Sequence, residues 1–454
     1  MKLALLGGGG FRVPLVYGAL LGDRHERRVD EVALFDTDAG RLASMGQVLT
    51  QMAAERGTGA DQLEPPGITV TTDLDQALEG ADVVFSAIRV GGLVGRTCDE
   101  RVALDHGLLG QETTGPGGLA YGLRTLPVAE FIAERVAAVA PQAWFINFTN
   151  PAGMITQAMQ GVLGDRVIGI CDSPIGLGRR AAAAVGVPWS RCEVDYVGLN
   201  HLGWLRGLRH DGQDLMPTLL ASPAALRTTE EGRLFGPEWV QSIGALPNEY
   251  LYYYYYTRDA IAAIRGATRT RGEYLLEQQQ RFYDDVRARP REAWSLWRAA
   301  CADREATYMA ETRGNQESRD ESDLGSGGYE GVALAIMAAI SRGEPATLIL
   351  NVRNAGSVPG LPEDAVVETV CTVNADGPTP VPASPLTGHM LGLATQVKSV
   401  EELLIAAVRE RSRDRAVAAF ALHPLVDSVN VARDLLRAYE RRIPEVGAVF
   451  GGTG

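Results

Sequence analysis

Two side chains of metal-binding type stand at the ends of apolar, strand-like segments. Cys171 follows the segment 167–170, and His201 closes the segment 197–200. A thiolate and an imidazole at two strand ends can meet at the carboxyl edge of one sheet, where α/β proteins bind their ligands. Two protein donors would leave positions open on a divalent metal, as catalysis requires. The spacing alone leaves open the alternative that Cys171 is a small buried apolar residue.

A dense run of tyrosines is the second group that could do chemistry. Six of the fourteen tyrosines lie within residues 250–256, directly after Asn248 and Glu249. A phenol held near a cation has a lowered pKa and can act as a base. Packing of rings in an aromatic helix accounts for most of these residues, so we expect at most one or two of them to be catalytic.

A glycine-rich turn near the amino terminus is typical of nucleotide-binding proteins. Gly7, Gly9 and Gly10 follow a short apolar segment and precede a helical pattern. Such a turn lets backbone N–H groups approach a pyrophosphate at the helix N-terminus. Asp36 ends the next strand-like segment, where a carboxylate can bind the ribose 2′-hydroxyl. These residues favour NAD over NADP, although Arg12 replaces the third glycine of the G-x-G-x-x-G pattern, which leaves a ligand-free tight turn as the alternative.

Arginines near predicted loops form the fourth group. Arg89 follows an apolar strand-like segment, and Arg96 lies between it and a glycine-bearing loop at 110–118. Arginines at the carboxyl end of a strand can clamp a phosphate or a sugar hydroxyl. Isolated surface arginines are common, so the pattern makes these two residues candidates only.

The elements that must position these groups alternate between strands and helices in the first part of the chain. Short apolar segments predict strands at 2–6, 31–35, 68–71, 82–88 and 143–148. Helical periodicity lies between them, notably at 40–56 and 126–139. This alternation predicts a doubly wound α/β sheet.

The pattern changes after about residue 195. The later segments predict a helix at 330–345, strands at 347–352 and 365–373, and two helices within 399–443. We therefore expect two domains. A Rossmann-like NAD-binding domain would span residues 1–195, and an α+β domain for substrate, metal and oligomerisation would span residues 196–454.

Composition excludes several classes of protein. The 454-residue chain has a formal net charge of −13, which argues against nucleic acid or an anionic membrane as partner. Five scattered cysteines without a CxxC pair argue against a zinc ribbon or a disulfide scaffold. No apolar stretch approaches the roughly 20 residues needed to span a bilayer. We expect a cytoplasmic protein.

In this order, the motifs resemble glycoside hydrolase family 4, the NAD- and metal-dependent 6-phospho-glycosidases. The likeness covers residues 1 to about 285 and, loosely, the rest. The matching segments are the glycine turn with Pro14, Gly110-Gln111-Glu112-Thr113-Thr114-Gly115-Pro116-Gly117-Gly118, Asn147-Phe148-Thr149-Asn150-Pro151-Ala152-Gly153, Cys171-Asp172-Ser173-Pro174-Ile175-Gly176, Gly198-Leu199-Asn200-His201-Leu202 and the tyrosine run. The resemblance implies a Rossmann-like fold of the lactate/malate dehydrogenase kind with a C-terminal α+β half.

The chemistry that the resemblance implies differs from that of glycosidases with two carboxylates. NAD⁺ would take a hydride from C3 of the sugar, and a divalent metal, typically Mn²⁺, would polarise the resulting ketone. A base would then remove the C2 proton and the C1 substituent would leave. Water would add, and NADH would return the hydride. The implied partner is a small phosphorylated disaccharide or glycoside, and family habit implies a homodimer or homotetramer.

The resemblance also assigns roles around the reacting carbons. Cys171 and His201 match the metal ligands of the family. Tyr250 resembles the base at C2, with Tyr254 the less favoured substitute. Asp172 resembles a general acid for the departing oxygen; other members carry Asn at this position.

Further matched residues would hold the sugar. Asn150 and Arg96 resemble sugar contacts, and Arg89 and Arg271 are looser candidates for the 6-phosphate. The family often has Ser and Thr after the glycines, whereas this chain has Arg12 in that segment. Arg12 would either replace the early serine contact to phosphate or indicate a substrate without phosphate.

We therefore predict a hydrolase similar to 6-phospho-β-glucosidase. A 6-phospho-α-glucosidase or galactosidase of the same family is the first alternative. An NAD-dependent hydroxy-acid dehydrogenase is another, but such enzymes normally use a His–Asp pair and no metal. A nucleotide-sensing protein without catalysis would keep the glycine turn and tolerate loss of Cys171 and Tyr250.

Overall fold

The computed structural model describes residues 1–56, 64–306 and 328–451. Its strands are β1 Lys2–Leu6, β2 Glu31–Phe35, β3 Gly67–Thr71, β4 Val83–Ser86, β5 Trp144–Asn147, β6 Val167–Gly169, β7 Cys192–Leu199, β8 Leu202–His210, β9 Gln213–Asp214, β10 Leu246–Pro247, β11 Ala346–Arg353, β12 Val366–Asn374 and β13 Gly377–Pro380. The α-helices within these ranges are Val13–Gly22, Ala39–Arg56, Leu74–Leu78, Gly92–Asp105, Pro116–Val139, Ala152–Leu163, Ser173–Ala184, Met216–Leu220, Pro223–Leu226, Glu230–Phe235, Pro237–Ile243, Tyr252–Tyr255, Thr257–Gly266, Arg271–Ala288, Ala293–Ala306, Tyr329–Arg342, Gly388–Arg409, Arg413–Leu422, Val429–Arg442 and Pro444–Val449.

The first six strands form the parallel part of the sheet. They lie in the order β3-β2-β1-β4-β5-β6, which is the strand order of dinucleotide-binding folds. Because side chains alternate along a strand, Leu3 and Leu5 of β1 enter one core layer, and Ala4 and Leu6 enter the other. The predicted Rossmann-like, doubly wound fold is confirmed.

The remaining strands continue the same sheet in antiparallel fashion. β11 pairs with β6 through Asn351 opposite Gly169, and β12 lies between β11 and β7, with Glu368 opposite Gly198. The predicted α+β character of the second half is therefore confirmed. The predicted domain division after residue 195 falls within β7, and it stays a prediction.

Helices cover both faces of the sheet. On one face, Pro116–Val139 and Ala152–Leu163 share a core with the carboxyl-terminal helices. On the other face, the cover consists of Val13–Gly22, Ala39–Arg56 and Tyr329–Arg342. The carboxyl-terminal helices thus complete the core of the amino-terminal half. Within the described ranges, none of the helices combines the length and apolar character needed to cross a membrane.

The helix predicted at 126–139 begins ten residues earlier, at Pro116. Gly115 adopts φ +76°, a left-handed conformation that glycine reaches without strain. Pro116 then supplies the first helical position, where its missing N–H costs no hydrogen bond. The glycine-rich loop of the sequence motif therefore leads directly into a buried helix.

The prediction of two helices within 399–443 is wrong. Three α-helices overlap this segment: Gly388–Arg409, Arg413–Leu422 and Val429–Arg442. The extra break comes at Arg411, which adopts φ +52°. Ser412 then caps the next helix by accepting a hydrogen bond from the backbone N–H of Arg415.

The carboxyl ends of four neighbouring parallel strands bring the predicted functional segments to one edge of the sheet. Gly7 follows β1, Arg89 lies shortly after β4, Asn150 after β5 and Cys171 after β6. Ligands of open α/β sheets bind outside this edge. The parallel part of the fold therefore gathers residues that lie up to 164 positions apart in the sequence.

Candidate active site

A cavity of about 440 Å³ opens at this edge of the sheet. Ten of the residues predicted from the sequence line it: Gly7, Gly10, Arg89, Arg96, Asn150, Cys171, Asp172, His201, Tyr250 and Arg271. Gly9 and Asp36 are outside the lining but contact each other next to it. Tyr254, the substitute base, lines a separate cavity of about 30 Å³.

The glycine turn is closed by contacts that leave no space for side chains. Gly7 adopts φ +83°, and a Cβ atom there would come within 2.8 Å of the carbonyl oxygen of Ala87. A Cβ on Gly10 would lie 2.8 Å from the carbonyl oxygen of Gly7. The N–H of Gly9 donates to Oδ2 of Asp36 at 3.1 Å. This bare turn, with a carboxylate beside it, fits the pyrophosphate and ribose of a dinucleotide.

His201 is held at the turn of the β7–β8 hairpin. Its φ is +61°, which is uncommon outside glycine and is stabilised here by its surroundings. The side chain is buried, and burial lowers its pKa to about 4, so the ring is neutral at pH 7. Nδ1 lies 3.1 Å from the hydroxyl oxygen of Thr113. Since Nδ1 is engaged, Nε2 is the nitrogen that a metal ion would use.

Cys171 is a buried thiol in a negative environment. Its Sγ lies 3.3 Å from the hydroxyl of Ser173 and 4.0 Å from Oδ1 of Asp172. Burial, and then the negative charges of Glu368 and Asp172, raise the pKa of the thiol well above its usual range. A bound cation would reverse this effect, because a coordinating thiol is deprotonated.

The residues present fit a divalent metal with open positions. Within the described part of the chain, no three His, Cys, Asp or Glu side chains are arranged to enclose a metal ion. Cys171 and His201 line one cavity and supply two donors, which leaves positions for substrate. The buried Oδ1 of Asn150, also in the cavity lining, has no hydrogen-bond partner among the described residues. A ligand in the cavity would satisfy this acceptor.

Tyr250 is the tyrosine of the run that packs against His201. Its ring stacks on that of His201 with centroids 3.7 Å apart and an interplanar angle of 7°. Its backbone N–H donates to Oδ1 of Asn248 at 3.1 Å. Tyr254 instead faces His423, and burial raises the pKa of its phenol. The geometry therefore favours Tyr250 over Tyr254 as the base.

Asp172 sits between the thiol and the next helix. It occupies the N-cap position of Ser173–Ala184, but its side chain makes no capping hydrogen bond. The residue lines the cavity beside Cys171. A carboxyl group in this position could donate a proton to a leaving group or accept one from water.

Arg89 and Arg96 converge on one carboxylate. Arg89 contacts Glu112 at 2.6 Å, and Arg96 contacts Glu112 at 2.7 Å and Glu100 at 2.8 Å. Burial disfavours the charged form of Glu112, but the two guanidinium groups outweigh it and lower the pKa of Glu112 to about 2. These carboxylates fix the arginines in place at one side of the cavity.

Arginines dominate the charge of the cavity. Among the described residues, eight arginines and four carboxylates line it. Nη2 of Arg271 donates to the carbonyl oxygen of Arg304 at 3.1 Å. Burial, followed by the positive charges of Arg12 and Arg271, lowers the pKa of the Arg304 guanidinium to about 9. An anion placed among these groups would relieve their repulsion.

The sequence patterns do not single out four residues that line or support the candidate site. Glu112 lies within a predicted loop motif, but nothing in its spacing indicates that two arginines meet it. Thr113 and Arg304 become visible only through contacts across the fold. Glu368 has one informative feature: it is the one charged residue of strand β12, whose residues 366–371 are buried, and a buried acid needs partners.

Two family models match the chain. Residues 2–187 match the model of family 4 glycosyl hydrolase, and residues 196–426 match the C-terminal domain of the same family. Together they cover well over half of the sequence. The resemblance found in the sequence motifs is thus confirmed.

Relatives match over nearly the whole chain. A probable 6-phospho-beta-glucosidase of Bacillus subtilis (strain 168) is 29% identical over 457 residues, with 98% of each chain covered. The solved structure of the 6-phospho-beta-glucosidase from Thermotoga maritima with manganese, NAD⁺ and glucose-6-phosphate has a TM-score of 0.81 at 26% identity, covering 98% of this chain and 99% of that one. A 6-phospho-alpha-glucosidase from gut microorganisms, in complex with NAD and Mn²⁺, has a TM-score of 0.80 at 25% identity and 97% coverage of both chains. NAD and Mn²⁺ in these structures are the two groups expected from the sequence. By both family models, this chain belongs to glycosyl hydrolase family 4.

Proposed function

We propose that this chain hydrolyses 6-phospho-glucosides, with β-glucosides preferred, and that it uses NAD and a divalent metal such as Mn²⁺. The observation that carries the proposal is that one cavity gathers three kinds of group. A glycine turn, the Cys171–His201–Tyr250 cluster and an excess of arginines all line it. A hydroxy-acid dehydrogenase needs the glycine turn, and arginines would also suit its carboxylate substrate, but it does not need the Cys171–His201 pair.

Two groups supplied from solution would complete the site. NAD would bind over Gly7–Gly10 with Asp36 at its ribose, and it would supply a hydride acceptor and donor for carbon 3 of the sugar. The metal would be held by Cys171 and His201, and it would supply Lewis acidity next to the oxidised carbon. Because burial keeps His201 neutral, its ring is ready to act as a ligand at pH 7.

Tyr250 and Asp172 would move the protons. The phenol of Tyr250 is stacked on the ring of His201, so a cation at His201 would favour its phenolate. That phenolate would remove the proton from carbon 2 of the sugar. Asp172, on the same cavity wall as Cys171, would donate a proton to the oxygen that leaves carbon 1. Water then adds to the resulting double bond.

The arginines would bind the 6-phosphate. Arg89 and Arg96 are fixed by Glu112, whereas Arg12, Arg271 and Arg304 crowd their positive charges together. A phosphate dianion is the type of ligand that such a cluster attracts in an acidic protein. Arg12 would then replace the serine contact that the family often has.

The preference for the β-anomer is supported by sequence context. Asn248-Glu249-Tyr250-Leu251 is similar to the segment of β-active family members, and the relatives include both β- and α-specific enzymes. Oxidation at carbon 3 followed by elimination does not itself require one anomer.

The homodimer or homotetramer and the cytoplasmic location expected from the sequence also stay predictions.

Nitrophenyl glucosides test the proposal. The α- and β-linked sugars, each with and without a 6-phosphate, are incubated with the full chain, NAD⁺ and Mn²⁺. We expect nitrophenol release from the β-linked 6-phosphate only, and we expect it to require both cofactors. Faster release from the α-linked 6-phosphate would reverse the proposed preference for β-glucosides. Release from the unphosphorylated sugars would show that the 6-phosphate is not required. No release from any of the four would overturn the proposed function.

A further inference from the structure

Glu368 is a fully buried carboxylate that the reaction described above does not use. It lies on β12 and has no exposed surface. Its Oε1 accepts hydrogen bonds from the side-chain amides of Asn200 at 3.1 Å and Asn351 at 2.9 Å. Its Oε2 accepts from the hydroxyl of Tyr196 at 2.9 Å. A buried carboxylate with three neutral donors is costly to maintain for stability alone, because a neutral residue could fill the same space.

One arm of this hydrogen-bonding network reaches the histidine of the site. Asn200 precedes His201 in the two-residue turn between β7 and β8. His201 needs a left-handed backbone there, with φ +61°. The bond from Asn200 to Glu368 ties this turn to β12, so the carboxylate helps to set where the imidazole points.

The other arm reaches the tyrosine and the cysteine. The side-chain amide of Asn248 donates to Tyr196 Oη at 3.3 Å and to Ser173 Oγ at 2.9 Å. Oδ1 of Asn248 accepts from the backbone N–H of Tyr250. The hydroxyl of Ser173 in turn lies 3.3 Å from Sγ of Cys171.

We propose that Glu368 is a positioning residue: by anchoring Asn200 on one side and Tyr196 on the other, its carboxylate sets the relative placement of Cys171, His201 and Tyr250. The three groups come from different parts of the chain, and Glu368 is where their supporting hydrogen bonds meet. The inference rests on the proposed function, since it concerns the same metal and base.

The test is a comparison of Mn²⁺ affinity in two variants of Glu368. Glu368→Ala removes both arms, and we expect Mn²⁺ affinity without substrate to fall about 10–100-fold, the range for partners of metal ligands. Glu368→Gln keeps an oxygen acceptor for Asn200 and Asn351 but replaces the oxygen that accepts from Tyr196 with an amide N–H₂ group, so we expect an intermediate loss. NAD affinity, which depends on a glycine turn outside this hydrogen-bonding network, should change less than about twofold in either variant.

Three further measurements separate positioning from general destabilisation. Thr369→Val is the matched control: Thr369 is the next residue of β12 and equally buried, and its side-chain hydroxyl donates to the backbone oxygen of Tyr196 rather than to Asn200 or Asn351. It should keep wild-type Mn²⁺ affinity. Tyr196→Phe cuts the arm to Asn248, which supports both Tyr250 and Cys171, so kcat and Mn²⁺ affinity should both fall, each by less than in Glu368→Ala. With Co²⁺ as a probe, Glu368→Ala should show a weakened thiolate-to-metal absorption band.

The outcomes distinguish this inference from the proposed function. Wild-type Mn²⁺ affinity and turnover in Glu368→Ala would overturn the positioning role. Should that variant fail to fold, unchanged affinity in Glu368→Gln together with unchanged kcat in Tyr196→Phe would overturn it as well. If the wild-type chain itself neither binds Mn²⁺ nor releases sugar, the proposed function fails first.

Discussion

Replacing Glu112 by Gln tests how the arginine-rich side of the cavity is held together. The carboxylate contacts Arg89 at 2.6 Å and Arg96 at 2.7 Å, and its side chain is only 17% exposed. Despite burial, the two guanidinium groups lower the pKa of Glu112 from its usual 4.5 to about 2. The folded state therefore favours the charged form of this side chain.

The size of the effect follows from linkage between protonation and folding. A difference of about 2.5 pKa units corresponds to about 3 kcal/mol of unfolding free energy at pH 7. Because the folded-state pKa is the lower one, this stabilisation is complete above the unfolded pKa and is lost as the pH falls towards 2. By the same relation, about half of it remains near pH 3.3. Glu112→Gln removes the charge at every pH. The unfolding free energies of the wild type and the variant should therefore become more similar as the pH falls.

Urea unfolding of wild type and variant at pH 7 and near pH 3.3 measures this difference. The exposed pair of Asp75 with Arg135 gives a matched control, because it has a similar 2.7 Å contact but much more solvent around it. Asp75→Asn should have a much smaller effect than Glu112→Gln at pH 7. An equal effect of the two variants, or a Glu112→Gln effect that does not shrink in acid, would refute the charge-pairing explanation.

Four other predictions concern the reaction itself. Asp36→Ser should weaken NAD binding about tenfold or more, since a hydrogen bond to a charged group contributes about 1.5–3 kcal/mol; unchanged affinity in a calorimetric titration would contradict the ribose contact. Cys171→Ser should lower Mn²⁺ affinity and turnover together, about 10-fold or more, and full turnover in metal-free buffer would remove the metal assignment. Tyr250→Phe should slow hydrolysis about 100-fold or more with NAD affinity kept, while Tyr254→Phe should have a small effect; the reverse order would transfer the base to Tyr254. A substrate deuterated at carbon 2 should react more slowly or exchange its label with solvent, and absence of both would exclude elimination.

The features that sequence patterns predicted well are local ones. The strands around Gly7 and Asp36 are short apolar segments with a glycine turn between them, so neighbouring residues alone determine their type and order. The end of a parallel strand also has a known place in the fold. This is why the sequence context of Cys171, which follows β6, predicts its place at the ligand-binding edge.

The features that patterns missed depend on contacts between distant segments. Thr113 lies 88 residues before His201, and Glu368 lies 168 residues after Asn200. Hydrophobic periodicity indicates local secondary structure, but it does not indicate which loop contacts which strand when the two are so far apart in the sequence. The helix break at Arg411 was missed for a different reason: a non-glycine residue in the left-handed region gives no compositional sign of a turn.

The continuous sheet explains why the candidate metal ligands can come from both halves of the chain. Cys171 follows β6, the last parallel strand, whereas His201 lies in the hairpin of β7 and β8. β11 and β12 stand between these strands in the sheet, and Glu368 of β12 is within hydrogen-bonding distance of the hairpin turn. Backbone pairing through β11 and β12, which come more than 140 residues later in the sequence than His201, therefore fixes the spacing between the two candidate ligands. Residues 1–195 alone would lack His201, β11 and β12. We therefore expect this segment to retain the nucleotide-binding turn but to lose the candidate metal site.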